Sequence, residues 1–381
     1  MHDGPRVVAV FSGGGTGGHL YPALALADAL TELRPDVQLV FVGAAQGIEA
    51  RILPKREVEH LLVPVRGLQR GRVLANVGVL WDLGRSTIRV ARLFRRLRPS
   101  LVVVTGGYAG APAGLVAALR GVPLALQDQN ALPGFTTQRL ARRAAQIHLA
   151  FPEAVERLPS EARGKAEVSG NPIRPPRNVD RANARGSFGL SEEGTVLLVV
   201  GGSQGSVAIN ELVLGAVEAV EAGRLRRPPQ FEILWATGPD HFASVAAALE
   251  EAGSPVWVRA LEYIDRMPEA LASADLALGR AGAMSTSEFM AWGIPSVLIP
   301  LPTAAADHQT VNARVLAAAG ASVHLPEYGL MASDLWATVT GMVADPARLR
   351  EMRQRARARG RPDASRDIAA ALSRLLPEAT T

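Results

Sequence analysis

The chain has 381 residues, enough for two domains of ordinary size, and its 48% hydrophobic and 20% charged residues mark a folded globular protein. It has no cysteine, which excludes disulfides, zinc–thiolate sites and thiol nucleophiles. The net charge of +5 is carried almost wholly by arginine; it suits an acidic partner (phosphate, anionic lipid or nucleic acid) without selecting among them, and an arginine-rich genome bias explains it as well.

Met1–Pro5 lack the basic and apolar regions of a secretory signal, so a soluble, cytoplasmic protein is expected. Strand composition then opens at Arg6–Phe11 and runs into Ser12-Gly13-Gly14-Gly15-Thr16-Gly17-Gly18-His19, followed by an alanine- and leucine-rich helix from Ala23 to Leu30. A glycine-rich turn between strand and helix lets bare backbone N–H groups face an anion at a helix N-terminus. A tight turn needed only for packing fits the same residues. Further strands are expected at Val37–Val42, His60–Val65, Leu101–Val104, Pro123–Leu126 and Gln146–Ala150, with helices that include Ala75–Leu97 and Ala111–Arg120. Leu101–Leu119 carries no charge, but its glycines and Pro112 make it strand, loop and helix, not a membrane span. This alternation implies right-handed βαβ units and an α/β fold with a doubly wound parallel sheet, whose ligands bind at the carboxyl ends of the strands.

Asn171-Pro172-Ile173-Arg174-Pro175-Pro176-Arg177 has no apolar periodicity and is expected to be a crossover between domains. The opening pattern then recurs as Thr195–Val200, Gly201-Gly202-Ser203-Gln204-Gly205 and a helix from about Ser206 to Ala222. Strands are expected at Phe231–Ala236, Val256–Arg259, Asp275–Leu278, Ser296–Ile299 and Ala321–His324. The chain therefore divides into a first domain over 1–170 and a second over 171–361, two Rossmann-like domains that would face a cleft. Whether the last helix, about 362–376, returns to the first domain is open.

Gly13-x-Gly15-x-x-Gly18 also fits a dinucleotide fingerprint, which requires an acidic residue at the end of the second strand to hold the ribose. Phe41-Val42-Gly43-Ala44-Ala45 and Trp235-Ala236-Thr237-Gly238 offer none, so nicotinamide and flavin binding are not expected. The stretch Gly279-Arg280-Ala281-Gly282-Ala283-Met284-Ser285-Thr286-Ser287-Glu288 supplies a second anion-receptive helix start. Glu288 either complements the helix dipole or accepts two ribose hydroxyls. Ala305–Asn312 is polar and either grips sugar hydroxyls or is a helix capped by Asp307. No His, Asp and Glu cluster has metal-ligand spacing, so neither a metal nor a cofactor is expected.

Together these motifs resemble the MurG family of peptidoglycan N-acetylglucosaminyltransferases. The resemblance is carried by Gly14–His19 with Pro22, Gly106-Gly107-Tyr108 with Pro112, Gln129-Asn130, and Gly170-Asn171-Pro172-Ile173-Arg174. It continues through Gly201–Gly205, Arg280-x-Gly282 with Ser287-Glu288, and Asp307–Ala313, in the family's order across nearly the whole chain. It implies a GT-B fold and inverting transfer of N-acetylglucosamine from UDP-N-acetylglucosamine to the lipid-linked muramoyl-pentapeptide (lipid I to lipid II). By the same resemblance Thr16, Gly17 and Gly18 would contact the donor sugar and diphosphate, and Asn130 and Gln309 sugar hydroxyls. Ser203 would hold the diphosphate and Arg174 a donor phosphate or base. The backbone of Ile264 would meet the uracil, Ala283, Met284, Ser285, Thr286 and Ser287 would line the donor, and Glu288 would take the ribose. Two departures stand out: Asp128 replaces the glutamate usual before Gln-Asn, and Ala306 precedes Asp307 where paired aspartates are common.

His19 is the candidate base, since an unperturbed imidazole titrates near operating pH; a histidine that only orients the loop is the alternative. A lipid-linked acceptor requires reach to the membrane. Val73–Trp81, followed by Arg85, Arg89, Arg92, Arg95, Arg96 and Arg98, pairs an apolar with a basic segment, as an anionic inner-membrane surface would require and as an ordinary solvated amphipathic helix would also show. The expected partners are thus the sugar nucleotide, lipid I and the cytoplasmic face of the membrane, with no nucleic acid. Rivals on the same architecture are glycosyltransferases with other acceptors, UDP-N-acetylglucosamine 2-epimerases, and a non-catalytic sugar-nucleotide-binding subunit.

Overall fold

The computed structural model describes residues 7–67 and 73–378, the backbone alone for 73–76. Met1–Arg6, on which the N-terminal reading rests, lie outside it. Two compact units emerge, Met1–Arg174 with Asp363–Thr381, and Pro175–Pro362.

The first unit holds β1 (Val7–Ser12), β2 (Val37–Ala44), β3 (Glu59–Val63), β4 (Leu101–Val104), β5 (Leu124–Asp128), β6 (Gln146–Leu149) and β7 (Ala166–Val168). They form one sheet in the order β3-β2-β1-β4-β5-β6-β7, parallel throughout. Its central strands are apolar on both faces because helices cover both. On one face Val8 and Val10 meet Val90, Phe94 and Val116. On the other, Ala9 and Phe11 meet Leu26 and Leu30 of the helix Gly17–Leu33, with Ile368 and Leu372 of the helix Ala364–Ser373. The chain's last helix thus completes the first core, and each such fully buried aliphatic side chain contributes roughly 1.5–3 kcal/mol.

The second unit repeats the plan with β8 (Thr195–Val200), β9 (Phe231–Ala236), β10 (Val258–Leu261), β11 (Leu276–Gly279), β12 (Ser296–Leu298) and β13 (Ser322–His324). Their order, β10-β9-β8-β11-β12-β13, places the switch point between β8 and β11, as β1 and β4 do in the first sheet. Phe231, Trp257 and Trp336 cluster in its core, Phe231 and Trp336 meeting edge-on at 5.5 Å between ring centroids.

Register fixes where the sites fall. Ser12 is level with Val42 on β2 and Val104 on β4, and Gly279 with Val200 on β8 and Leu298 on β12. The strand ends of each unit therefore open their loops at one level. Among the described residues, no helix is long and apolar enough to cross a membrane.

Candidate active site

In the first unit the turn after β1 is built by its neighbours. A Cβ on Gly13 would lie 1.9 Å from the Thr105 hydroxyl, and one on Gly15, at φ +90°, would strike the Tyr108 ring at 2.4 Å. The turn hands over to the helix Gly17–Leu33 at Thr16, whose extended backbone (φ −140°, ψ 159°) is that of an N-cap although its side chain makes no capping bond. The Thr16 hydroxyl instead pairs with Nδ1 of His19 at 3.0 Å. Thr105, just beyond β4, donates its hydroxyl to the His19 carbonyl at 2.7 Å. Gly106 (φ +94°) lies under the imidazole, where a Cβ would come within 2.7 Å of Cδ2. His19 is therefore seated by its own turn and by Thr105-Gly106, half-buried, while Thr16 and Gly18 are exposed beside it. The Gly17 and Gly18 amides occupy the first helical turn, where no preceding carbonyl is in reach.

Beneath that turn lies a residue with no signal in the sequence pattern. Glu49 is fully buried, and its Oε1 accepts from the Gly15 amide at 2.7 Å and the Ala44 amide at 3.2 Å. Burial raises the Tyr108 phenol above its ordinary pKa, and the nearby Glu49 adds to this.

Beyond β5, buried amide side chains form a chain. Gln129 donates to the Thr105 carbonyl at 2.7 Å and to Gln127 Oε1 at 2.5 Å, Gln127 donates to Asn171 at 3.0 Å, and Asn171 donates to the Gln129 carbonyl at 3.0 Å. Asp128 accepts from the backbone amides of Asn130 (3.2 Å) and Gly134 (2.8 Å). Its carboxyl is engaged in shaping the turn that carries Asn130, which is half-buried at the end of β5. Arg174 is exposed at the last residue of the first unit before the crossover.

In the second unit, β8 opens into Gly201–Gly205, and Ser206 caps the helix Val207–Glu221 by accepting from the Ile209 amide at 3.4 Å. Ser203 is exposed at the tip. Ile264 lines a cavity of about 300 Å³ with Ser187, Phe188, Leu261, Tyr263 and Arg266, and the Arg266 guanidinium lies over the Phe188 ring at 5.2 Å from its centroid. The helix Ala283–Trp292 starts after Gly282, with Ala283, Met284, Ser285, Ser287 and Glu288 half-buried on its first turns.

Thr286 corrects the sequence expectation. It is fully buried, and its hydroxyl donates to the carbonyls of Gly282 (3.0 Å) and Ala283 (3.1 Å), so it secures the helix start and does not line a ligand surface. Gln309 Oε1 accepts from the Leu301 amide at 3.0 Å, holding the loop that follows β12. The same loop is gripped by Arg280, which donates to the carbonyls of Ile299 and Pro300 (both 3.2 Å) and pairs with Glu327. Asp307 occupies an N-cap position in the left-handed region (φ +57°) and makes no side-chain capping bond. Among the described residues no group of three or more His, Asp or Glu side chains is placed to hold a metal ion.

Residues 9–149 match the model of the glycosyltransferase family 28 N-terminal domain and residues 196–368 that of the C-terminal domain. The chain is 44% identical over 368 residues to the UDP-N-acetylglucosamine–N-acetylmuramyl-(pentapeptide) pyrophosphoryl-undecaprenol N-acetylglucosamine transferase of Salinibacter ruber, covering 96% of this chain and 95% of that one. Identity to the protein of the same name from Chlorobium luteolum is 41%, over 97% of this chain and 99% of that one. Among solved structures it is similar to MurG of Acinetobacter baumannii, with a TM-score of 0.77, 27% identity, and coverage of 97% and 99%.

Proposed function

The chain belongs to glycosyltransferase family 28, with the MurG enzymes, and from that premise we propose that it transfers N-acetylglucosamine with inversion from UDP-N-acetylglucosamine to undecaprenyl-pyrophosphoryl-N-acetylmuramoyl-pentapeptide, making lipid II from lipid I. The observation that carries the substrate assignment is similarity from end to end, with both domains matched, to proteins named for that reaction. The same similarity sets aside the epimerase and the non-catalytic subunit.

In this reaction His19 takes the proton of the acceptor hydroxyl as its oxygen bonds to the anomeric carbon. The bond from that carbon to the diphosphate breaks, and UDP leaves with the electron pair. Thr16 on Nδ1 and Thr105 on the main chain orient the imidazole for that transfer. The leaving diphosphate falls to Ser203 and the amides at the start of the helix Val207–Glu221, whose dipole favours negative charge. Ile264 and the 300 Å³ cavity beside it suit a base of uracil's size, Glu288 the ribose, and Arg174 a phosphate or base. Ala283, Met284, Ser285 and Ser287 border the donor; Asn130 and Gln309 reach sugar hydroxyls, and Thr16, Gly17 and Gly18 the donor sugar and diphosphate.

The enzyme works at the cytoplasmic face of the membrane. On the helix Val73–Leu97, Val77, Leu80, Trp81 and Ile88 are more than half exposed and share one stripe by their spacing. Arg85, Arg89 and Arg92 are exposed beside it, an arrangement suited to an anionic lipid surface. Side chains of Val73–Asn76 lie outside the described residues. Incubation with UDP-N-acetylglucosamine and a short-chain lipid I analogue tests the assignment: UDP release that requires both supports it. Release with neither dependence on the analogue nor a disaccharide product overturns it.

A further inference from the structure

Three glycines on three segments converge on one side chain. A Cβ on Gly14 would lie 1.6 Å from Glu49 Oε1, one on Gly47 2.1 Å from Oε2, and one on Gly43 2.9 Å from the Glu49 Cβ and Cγ. Gly14 belongs to the turn after β1, Gly43 to β2, and Gly47 to the turn that leads into the short helix Glu49–Ile52. The cradle they form admits a carboxyl group where any other residue at those positions would exclude it. That carboxyl is fully buried, its Oε1 spans the Gly15 and Ala44 amides, and its Oε2 has no hydrogen-bond partner.

Burying a carboxyl oxygen without a partner carries a desolvation cost, and an apolar side chain in the same space would escape it only by leaving the Gly15 and Ala44 amides without their acceptor. What Glu49 supplies is specific: it joins β2 to the Gly15 amide, at the point where the turn toward His19 passes through a left-handed residue. Without that acceptor the Gly15 amide loses its partner, and the turn that leads through Thr16, Gly17 and Gly18 to His19 is free to shift.

We propose that Glu49 is a positioning residue for the transfer reaction, fixing the Gly13–Gly18 turn so that His19 meets the acceptor hydroxyl; this rests on the function proposed above. The acceptor oxygen bound to Gly15 is what matters, so glutamine substitutes for it and alanine does not.

The test compares Glu49→Ala and Glu49→Gln with the wild type. Expected for Glu49→Ala is a fall in kcat of about 10²-fold, with a smaller rise in KM for UDP-N-acetylglucosamine because the same turn also faces the donor. Glu49→Gln is expected to stay within about threefold of wild type. Amide hydrogen exchange supplies a readout that needs no turnover: peptides covering Gly13–His19 exchange at least about tenfold faster in Glu49→Ala, while those covering β4 and β8 do not change. Equal kcat in Glu49→Ala and wild type, unchanged exchange at Gly13–His19, or a Glu49→Gln enzyme as slow as Glu49→Ala would each overturn the proposal. A wild type that transfers no sugar refutes the function itself, and the exchange comparison still decides whether Glu49 holds the turn.

Discussion

The Thr105 hydroxyl donates to the main-chain carbonyl of His19 across 2.7 Å, joining the end of β4 to the first turn of the helix after β1. Gln129 in turn donates to the carbonyl of Thr105 at 2.7 Å, so one residue relays the end of β5 to the candidate base. Thr105→Val keeps the shape and removes the donor. It is expected to lower kcat about tenfold with little change in KM for the sugar nucleotide, and to cost about 0.5–1.5 kcal/mol of stability through the lost hydrogen bond. Steady-state kinetics and urea unfolding of the same preparation read both effects.

His19→Ala is expected to reduce turnover by about 10²–10⁴-fold while titration calorimetry shows UDP-N-acetylglucosamine binding within about threefold of wild type. Lost sugar-nucleotide binding with turnover intact sinks the base assignment and leaves the histidine as a support for the loop.

How legible all this was varies with the range of the contacts. Runs such as Thr195–Val200 and Phe231–Ala236 announce themselves by composition, and their bounds are those expected; so is the doubly wound parallel class. Ala166–Val168 has three residues and, among the described residues, pairs only with β6, too little for any pattern to register. The strand expected from Val256 starts at Val258, because the Val258 amide closes a turn onto Pro255 and Val256 is left exposed. Glu49 sits in the mixed stretch Gln46–Leu53, where nothing in the pattern marks it as buried, and its burial depends on glycines 35 and 6 residues before it. Arg280 likewise meets Glu327, 47 residues on. Spacing along the chain carries neither contact. Thr286 misleads in the opposite way: its type suits a ligand, but the phase of its helix points it inward.

His148 on β6 is buried, paired through Nδ1 with Ser169 Oγ at 2.9 Å, and burial with the nearby Arg374 charge lowers its pKa from 6.5 to about 4. The unfolded chain therefore binds this proton below about pH 6.5 and the folded chain only near pH 4, so stability is full above pH 6.5 and declines as pH falls between those values. The loss across that window is about 3 kcal/mol at most. Urea midpoints of wild type and His148→Gln, measured at pH 7.5 and 4.5, should converge at the lower pH; parallel acid losses would refute this origin.

Asp275 gathers Arg181 (2.5 Å), Arg185 (2.7 Å) and the Val196 amide (3.0 Å) at the start of β8 and β11. Arg185 is 1% exposed, so Asp275→Ala leaves a guanidinium buried without its carboxylate. A loss of about 3–5 kcal/mol is expected from unfolding of the variant, and a loss under 1 kcal/mol would show that the carbonyls of Ser273, Glu192 and Gly194 suffice.

Membrane contact is open to direct measurement. Co-sedimentation with vesicles containing anionic phospholipid is expected to weaken about 30-fold in Arg85→Gln/Arg89→Gln, at roughly 1 kcal/mol per arginine, and to weaken again in Trp81→Ser. Equal sedimentation of wild type and variants, or no sedimentation of the wild type with these vesicles, removes the surface from the proposal.

The helix Ala364–Ser373 belongs to the core of the first unit although nearly two hundred residues of the second precede it. During synthesis the second unit is complete in itself once Pro362 has emerged. The first must wait, its Leu26 and Leu30 face uncovered until the last helix arrives. The order of birth along the chain is thus the reverse of the order of completion, and a nascent chain stalled before Ile368 would display a finished second unit beside a first one still open to chaperones.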